Sequence, residues 1–135
     1  MAFIDADRKA LAAMAGGDPE EPVVMLNLLR YRERAADGFG VDGLSGRDAY
    51  TVYGRRFAEE MHPRYGGEPI WMGRGLNSIV GPEDWDVVIL VRYPTRRQFI
   101  AMLNDPDYRA MAPIRAAALA DSRLVEMSQL LPKIV

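Results

Sequence analysis

Two segments constrain this chain more than anything else in it. Val23 to Arg32 reads VVMLNLLRYR, and Trp85 to Pro94 reads WDVVILVRYP. Each is a nearly continuous apolar run of strand length. A strand with one wet face alternates apolar and polar residues, so a run without alternation belongs to a strand covered on both faces. The 135 residues suffice for one domain, taken as 1–135 with residues 1–18 as an N-terminal helical extension. Helices from such a chain can cover one face of a sheet, and too few residues remain to cover the other.

The remaining segments fill in around these strands. Ala10, Leu11, Met14 and Ala15 recur at helical spacing before Gly16-Gly17. Residues 33–46 carry Gly38, Gly40, Gly43 and Gly46 and form a long loop, either a lid or partner-contacting segment or a plain mobile connection. Ser45 with Asp48 opens a helix whose stripe is Tyr50, Tyr53, Phe57 and Met61; His62-Pro63 and Gly66-Gly67 close it. An extended segment from Glu68 to Val80, interrupted at Gly73-Arg74-Gly75, should pair with the Trp85–Pro94 strand. Thr95 with Gln98 opens another helix. Asn104-Asp105-Pro106 breaks and restarts it, and Pro113 should kink or divide the restarted helix. Ser122 to Leu131 alternates and reads as a terminal strand.

The order strand, helix, strand, strand, helix, strand defines a ferredoxin-like split βαβ unit of class α+β: a four-stranded antiparallel sheet with helices on one face. The uncovered face of such a sheet would be apolar here. A second copy packed sheet to sheet is its simplest cover, which predicts a homodimer forming a shared barrel.

Composition narrows the chemistry. Seventeen basic residues face nineteen acidic ones, for a net charge of −2, so no nucleic-acid partner is expected. Cysteine is absent and there is one histidine, which leaves neither a thiol nucleophile nor a convincing transition-metal site; no cofactor is expected. No apolar run approaches the ~20 residues that span a bilayer, and the first residues lack a signal-peptide core, so no membrane association is expected and the expected location is cytoplasmic.

The stretches PVVMLNLLRYRE, YTVYGRRFAEEMHPRYGGEPIWMGRG and DWDVVILVRYPTRRQFIAMLNDPDYRAMAPIRAAALADSRL resemble the domain-of-unknown-function family thirteen-thirty, within the dimeric α+β barrel superfamily. The similarity runs over about residues 19–132. It implies the ferredoxin-like fold and dimerisation. It implies no activity, because the family has no defined biochemical role. Related dimeric barrels include small isomerases, lactone-processing enzymes and cofactor-free monooxygenases of polycyclic phenols, whose pockets use Asn, Trp, Tyr and Arg.

Seven residues are candidates for chemistry. Asn27 interrupts the first apolar strand, and a buried amide must find a partner: a ligand carbonyl or phenol, or main chain and water. Arg92 either stabilises an oxyanion or forms an ion pair at the strand end. Arg115 lies on the stripe of Tyr108 and Met111 and must pair, snorkel or face a cavity. Tyr53 and Tyr108 could present hydroxyls at a pocket or serve as plain core. Trp71 could stack on a flat substrate or pack in a dimer interface. His62 could move protons or simply complement a helix C-terminus. Together these predict a small carbonyl-bearing or aromatic ligand between the sheet and the second helix. If the protein is an enzyme, with cofactor-free isomerase-like or monooxygenase-like chemistry, Asn27 and Arg92 would hold a developing oxyanion, Trp71 and Tyr53 would wall the ring, and His62 or a tyrosine would transfer the proton; the alternative is a non-catalytic dimeric ligand-binding or accessory protein.

Overall fold

In a computed structural model of the chain, which describes residues 2–133, the two apolar runs are adjacent central strands. β1 spans Val23–Tyr31 and β3 spans Val87–Tyr93, paired antiparallel with Leu26 opposite Leu90. The edges are β2, Glu68–Arg74, and β4, Leu119–Met127, giving the order β2-β3-β1-β4 with every pairing antiparallel. α1 (Arg8–Ala15) precedes the sheet. α2 (Gly46–Arg56) and a short α3 (His62–Tyr65) connect β1 to β2, and α4 (Arg96–Leu103) and α5 (Pro106–Ala118) connect β3 to β4. This is the expected ferredoxin-like α+β architecture.

Capping side chains set the helix starts. The Asp48 N–H donates to Ser45 Oγ at 3.0 Å, the Gln98 N–H to Thr95 Oγ1 at 3.2 Å, and the Asp107 N–H to Asp105 Oδ1 at 2.8 Å. Each bond satisfies a donor that the first helical turn leaves free. Asp105 also accepts from the Tyr65 hydroxyl (2.5 Å) and the Arg64 guanidinium (2.7 Å). Those bonds hold its carboxyl down at about 2. Between α2 and α3, Phe57–Met61 forms a π-helical turn, and Met61 is fully buried.

Strand register sorts the side chains into two faces. On the helix side the rows across β2, β3, β1 and β4 are Pro69–Val91–Met25–Glu126, then Met72–Ile89–Asn27–Leu124, then Arg74–Val87–Leu29–Ser122. On the other side they are Glu68–Arg92–Val24–Met127, then Trp71–Leu90–Leu26–Val125, then Gly73–Val88–Leu28–Arg123. Met25, Val91, Tyr93, Tyr53, Phe99, Met102 and Met111 build the main core between sheet and helices. On this second, open face Val24 is buried and Arg123 stacks on Trp85, and the last two rows are mostly apolar.

Several boundaries differ from the expectation. β2 stops at Arg74 rather than Val80, because the backbone crosses so close to Trp85 that a Cβ on Gly75 would lie 2.0 Å from the Trp85 carbonyl oxygen. β4 runs Leu119–Met127 rather than Ser122–Leu131. Its early start is fixed by the Arg32 N–H donating to the Ala118 carbonyl (2.9 Å) and by the N-terminal segment bonding to Asp121 and Ser122. α5 passes through Pro113 as one helix, with that proline exposed. The 33–46 loop is anchored rather than free: Ala35 and Val41 bury against Ala49, Ala117 and Ala118, and the Ala36 N–H donates to the Ala117 carbonyl at 2.9 Å. A buried arginine, Arg96, ties the chain before β1 to β4. It bonds Glu126 at 2.8 Å and Glu21 at 3.3 Å and also donates to the Asp18 carbonyl.

Candidate functional site

Asn27 stands in the middle of the helix-side face, between Met25 and Leu29. Tyr50 and Ile89 pack against the clusters built on both of those neighbours. Its Nδ2 donates to the carbonyls of Met25 (3.3 Å) and Ile89 (3.4 Å). Both partners can only accept, which fixes the amide orientation and turns Oδ1 away as an acceptor. Among the described residues no protein group donates to that oxygen.

α2 brings an aromatic column to the same layer. The rings of Tyr31 and Tyr50 lie 5.8 Å apart, Tyr50 and Tyr53 5.3 Å, and Tyr53 and Phe57 5.7 Å. Tyr108 of α5 joins through an edge-on contact with Phe57 at 6.0 Å and accepts the Tyr53 hydroxyl proton at 3.3 Å. That bond leaves the Tyr108 proton free to be donated elsewhere. Burial pushes the Tyr50 hydroxyl up to about 12 and the Tyr53 hydroxyl well above its ordinary value. At neutral pH these groups are therefore protonated hydrogen-bond donors. Arg115 is the cation whose charge opposes both of those shifts, and its Nη1 donates to the Ile4 carbonyl at 3.0 Å. Toward β4, Leu124, the partner of Asn27, is 46% exposed.

His62 closes the column at its other end. Its ring meets Phe57 edge-on at 4.7 Å, and its buried Nε2 has no partner among the described residues. Burial lowers its pKa below the ordinary 6.5. The unfolded chain therefore takes up this proton first as pH falls, and the folded state loses stability from about pH 6.5 downward. The melting temperature of wild type should fall between pH 7 and pH 5 more steeply than that of His62→Phe; parallel profiles would contradict the assignment.

The seven candidate residues separate into two groups. Asn27, Tyr53, Tyr108 and Arg115 share the helix-side layer, with His62 at its end. Arg92 and Trp71 lie on the open face: Arg92 pairs with Glu68 at 3.2 Å, and Trp71, 53% exposed, lies over Gly73. Asn27 and Arg92 therefore cannot hold one oxyanion within a protomer, and Trp71 and Tyr53 cannot wall one ring. Their opposite parity follows from strand register, which a single sequence does not display. Sequence reasoning misses the π-turn, a feature frequent at functional sites. Tyr50, which the sequence places on the same aromatic stripe as Tyr53, lies in this layer as well.

A four-stranded antiparallel sheet, helices on one face and a polar layer beneath them define a ferredoxin-like α+β domain with an internal candidate site. The sequence model of a family described as "Domain of unknown function (DUF1330)" matches residues 44–128, and the chain belongs to this family. It is similar to a protein of unknown function, RPA0582, from Rhodopseudomonas palustris, with 37% identity over 98% of this chain and 100% of that one and a TM-score of 0.89. At 17% identity it shares its fold with a dimeric ferredoxin-like protein of unknown function from Thermobifida fusca, over 80% of this chain and 91% of that one, TM-score 0.50. It shares it also with SnoaB, a cofactor-independent oxygenase from Streptomyces nogalater, over 84% and 99%, again at 17% identity and TM-score 0.50. No protein of curated function matches the chain. Among the described residues no helix is long and apolar enough to cross a membrane, and no cluster of His, Asp and Glu could hold a metal ion.

Proposed function

We propose that this protein is a homodimer that binds a small carbonyl-bearing or aromatic molecule in the helix-side layer of each protomer. The observation that carries this reading is the convergence of polar groups inside an apolar core: the Asn27 Oδ1 acceptor, the Tyr50 and Tyr108 hydroxyls, and Arg115. Protonated tyrosines suit a carbonyl oxygen, and Asn27 suits a hydroxyl or enol on the same molecule. The column of rings suits a flat body. Dimerisation is supported by the apolar open face, and the fold neighbour from Thermobifida fusca is itself described as dimeric.

A second reading, cofactor-free proton transfer or oxygenation, is favoured by the uncharged His62 with its free Nε2 beside the column. In that case Arg115, which shares the layer, takes the oxyanion role expected of Arg92. Titration with a panel of quinols, lactones and enol acids tests both. Asn27→Ala should weaken binding of the best ligand about tenfold, the equivalent of one hydrogen bond worth about 1.4 kcal/mol. Equal binding by both proteins, or none by wild type, refutes the site. Turnover lost in Asn27→Ala supports the catalytic reading; binding without turnover supports the non-catalytic one.

A further inference from the structure

A concavity lies outside this layer. It is an open depression of about 600 Å³ beside the start of β4, with Ile4, Ala116, Leu119 and Ala120 as its apolar floor. Arg32, Glu33 and Arg34 stand along one wall. Its volume falls in the range of small-molecule sites.

The charge around it sets it apart. Arg30, Arg56, Arg64, Arg92, Arg96, Arg97 and Arg123 all pair with carboxylates. Of the other arginines, Arg8, Arg55, Arg74 and Arg109 lie on α1, α2, β2 and α5, and none of them lines the depression. Arg32, Arg34, Arg47 and Arg115 instead gather at or next to the depression. Arg32 and Arg34 line it, and Arg115 precedes Ala116 and bonds the carbonyl of Ile4. Arg47 stacks over Tyr31, the residue before Arg32, with Cζ 5.2 Å from the ring centroid. Glu33 is the carboxylate on the wall, and it pairs with none of these four. Arg32 directs its Nε to the Arg34 carbonyl at 3.3 Å, which braces the side chain and leaves its terminal nitrogens unused.

We propose that this depression binds a small organic acid: a carboxylate held by Arg32 and Arg34, with its hydrocarbon or aromatic body on the Ile4–Leu119 floor. Guanidinium groups match a carboxylate with paired hydrogen bonds, and an apolar floor rewards an attached apolar body, which a bare inorganic anion lacks. None of its lining residues belongs to the Asn27 layer, although Arg115 stands beside both, and the proposal does not depend on what that layer binds.

Benzoate, benzyl alcohol and inorganic phosphate distinguish the elements of the proposal. In amide NMR titrations, benzoate should shift Ile4, Ala116 and Ala120 saturably, with benzyl alcohol and phosphate at least tenfold weaker. The double substitution Arg32→Gln/Arg34→Gln should weaken benzoate at least tenfold, and Ala120→Phe, which fills the floor, should do the same. Both variants change exposed side chains, and unperturbed spectra elsewhere report that the fold is kept. Benzyl alcohol binding as well as benzoate, phosphate binding as well as benzoate, or full benzoate affinity in the double variant would each overturn the proposal. Benzoate shifts confined to Asn27 and Ile89 would also overturn it, while supporting the inner site.

Discussion

Leu90→Asp is expected to convert the proposed homodimer to a monomer while leaving its secondary structure intact. Leu90 sits in the centre of the open face, in the row Trp71–Leu90–Leu26–Val125, with Val88 and Leu28 in the next row. In the free protomer Leu90 is half-buried, in a row that ends on Trp71 at 53% and Val125 at 45% exposure, so an aspartate there can still reach water. Pressed against a second copy it becomes an unpaired buried charge, which costs about 3–5 kcal/mol. Because each interface would contain the residue twice, the dissociation constant should rise at least about a thousandfold. Sedimentation at micromolar concentration reads this directly. A wild type that sediments as a monomer, or a variant that stays dimeric, would remove the pairing of open faces. Arg92 provides a contrast. It lies on the same face but outside these two rows and is already paired with Glu68, so its removal should have a far smaller effect.

Gly46→Ala should produce a large loss of stability for so small a substitution. Gly46 begins α2 where three segments converge. Its N–H donates to the Arg32 carbonyl at 3.0 Å, and an added Cβ would lie 2.1 Å from that oxygen and 2.6 Å from the Ala118 oxygen. Both obstacles are backbone and neither can rotate away. Opening the junction also disturbs the Arg32–Ala118 bond that starts β4. Such overpacking costs about 3 kcal/mol or more, and in a domain of this size about 10 °C in melting temperature. Gly54→Ala is the control. An added Cβ there meets nothing within 4 Å, and in a helix interior alanine is favoured over glycine, so the melting point should hold or rise. Equal melting temperatures for wild type and Gly46→Ala would show that the junction is looser than these distances imply.

Much of the fold was legible because its signals are local. The unalternating runs at Val23–Arg32 and Trp85–Pro94 announced central strands, and Ser45, Thr95 and the Asp105-Pro106 pair announced helix starts through chemistry that acts over three residues. Asn27 stood out because an amide is rare in such a run. What stayed hidden depends on distant pairing. The separation of Asn27 from Arg92 is a matter of β1–β3 register, where one residue of slip would reverse it. The early start of β4 depends on Phe3 and Arg32, far away in sequence, and the ordering of the 33–46 loop depends on alanines of α5. The tyrosines were readable as a stripe, but their joining to Arg115 required the α2–α5 packing.

The π-turn at Phe57–Met61 carries a consequence of its own. It holds more chain than a regular helical turn, and every residue beyond it is rotated by about 100° for each residue in excess. Deleting a single codon there would restore an even spiral and swing His62 away from the Phe57 ring. The imidazole's place at the end of the column thus depends on the length of this turn as well as on the identity of residue 62. Relatives lacking that extra residue should carry their histidine, if they have one, on a different side of the helix.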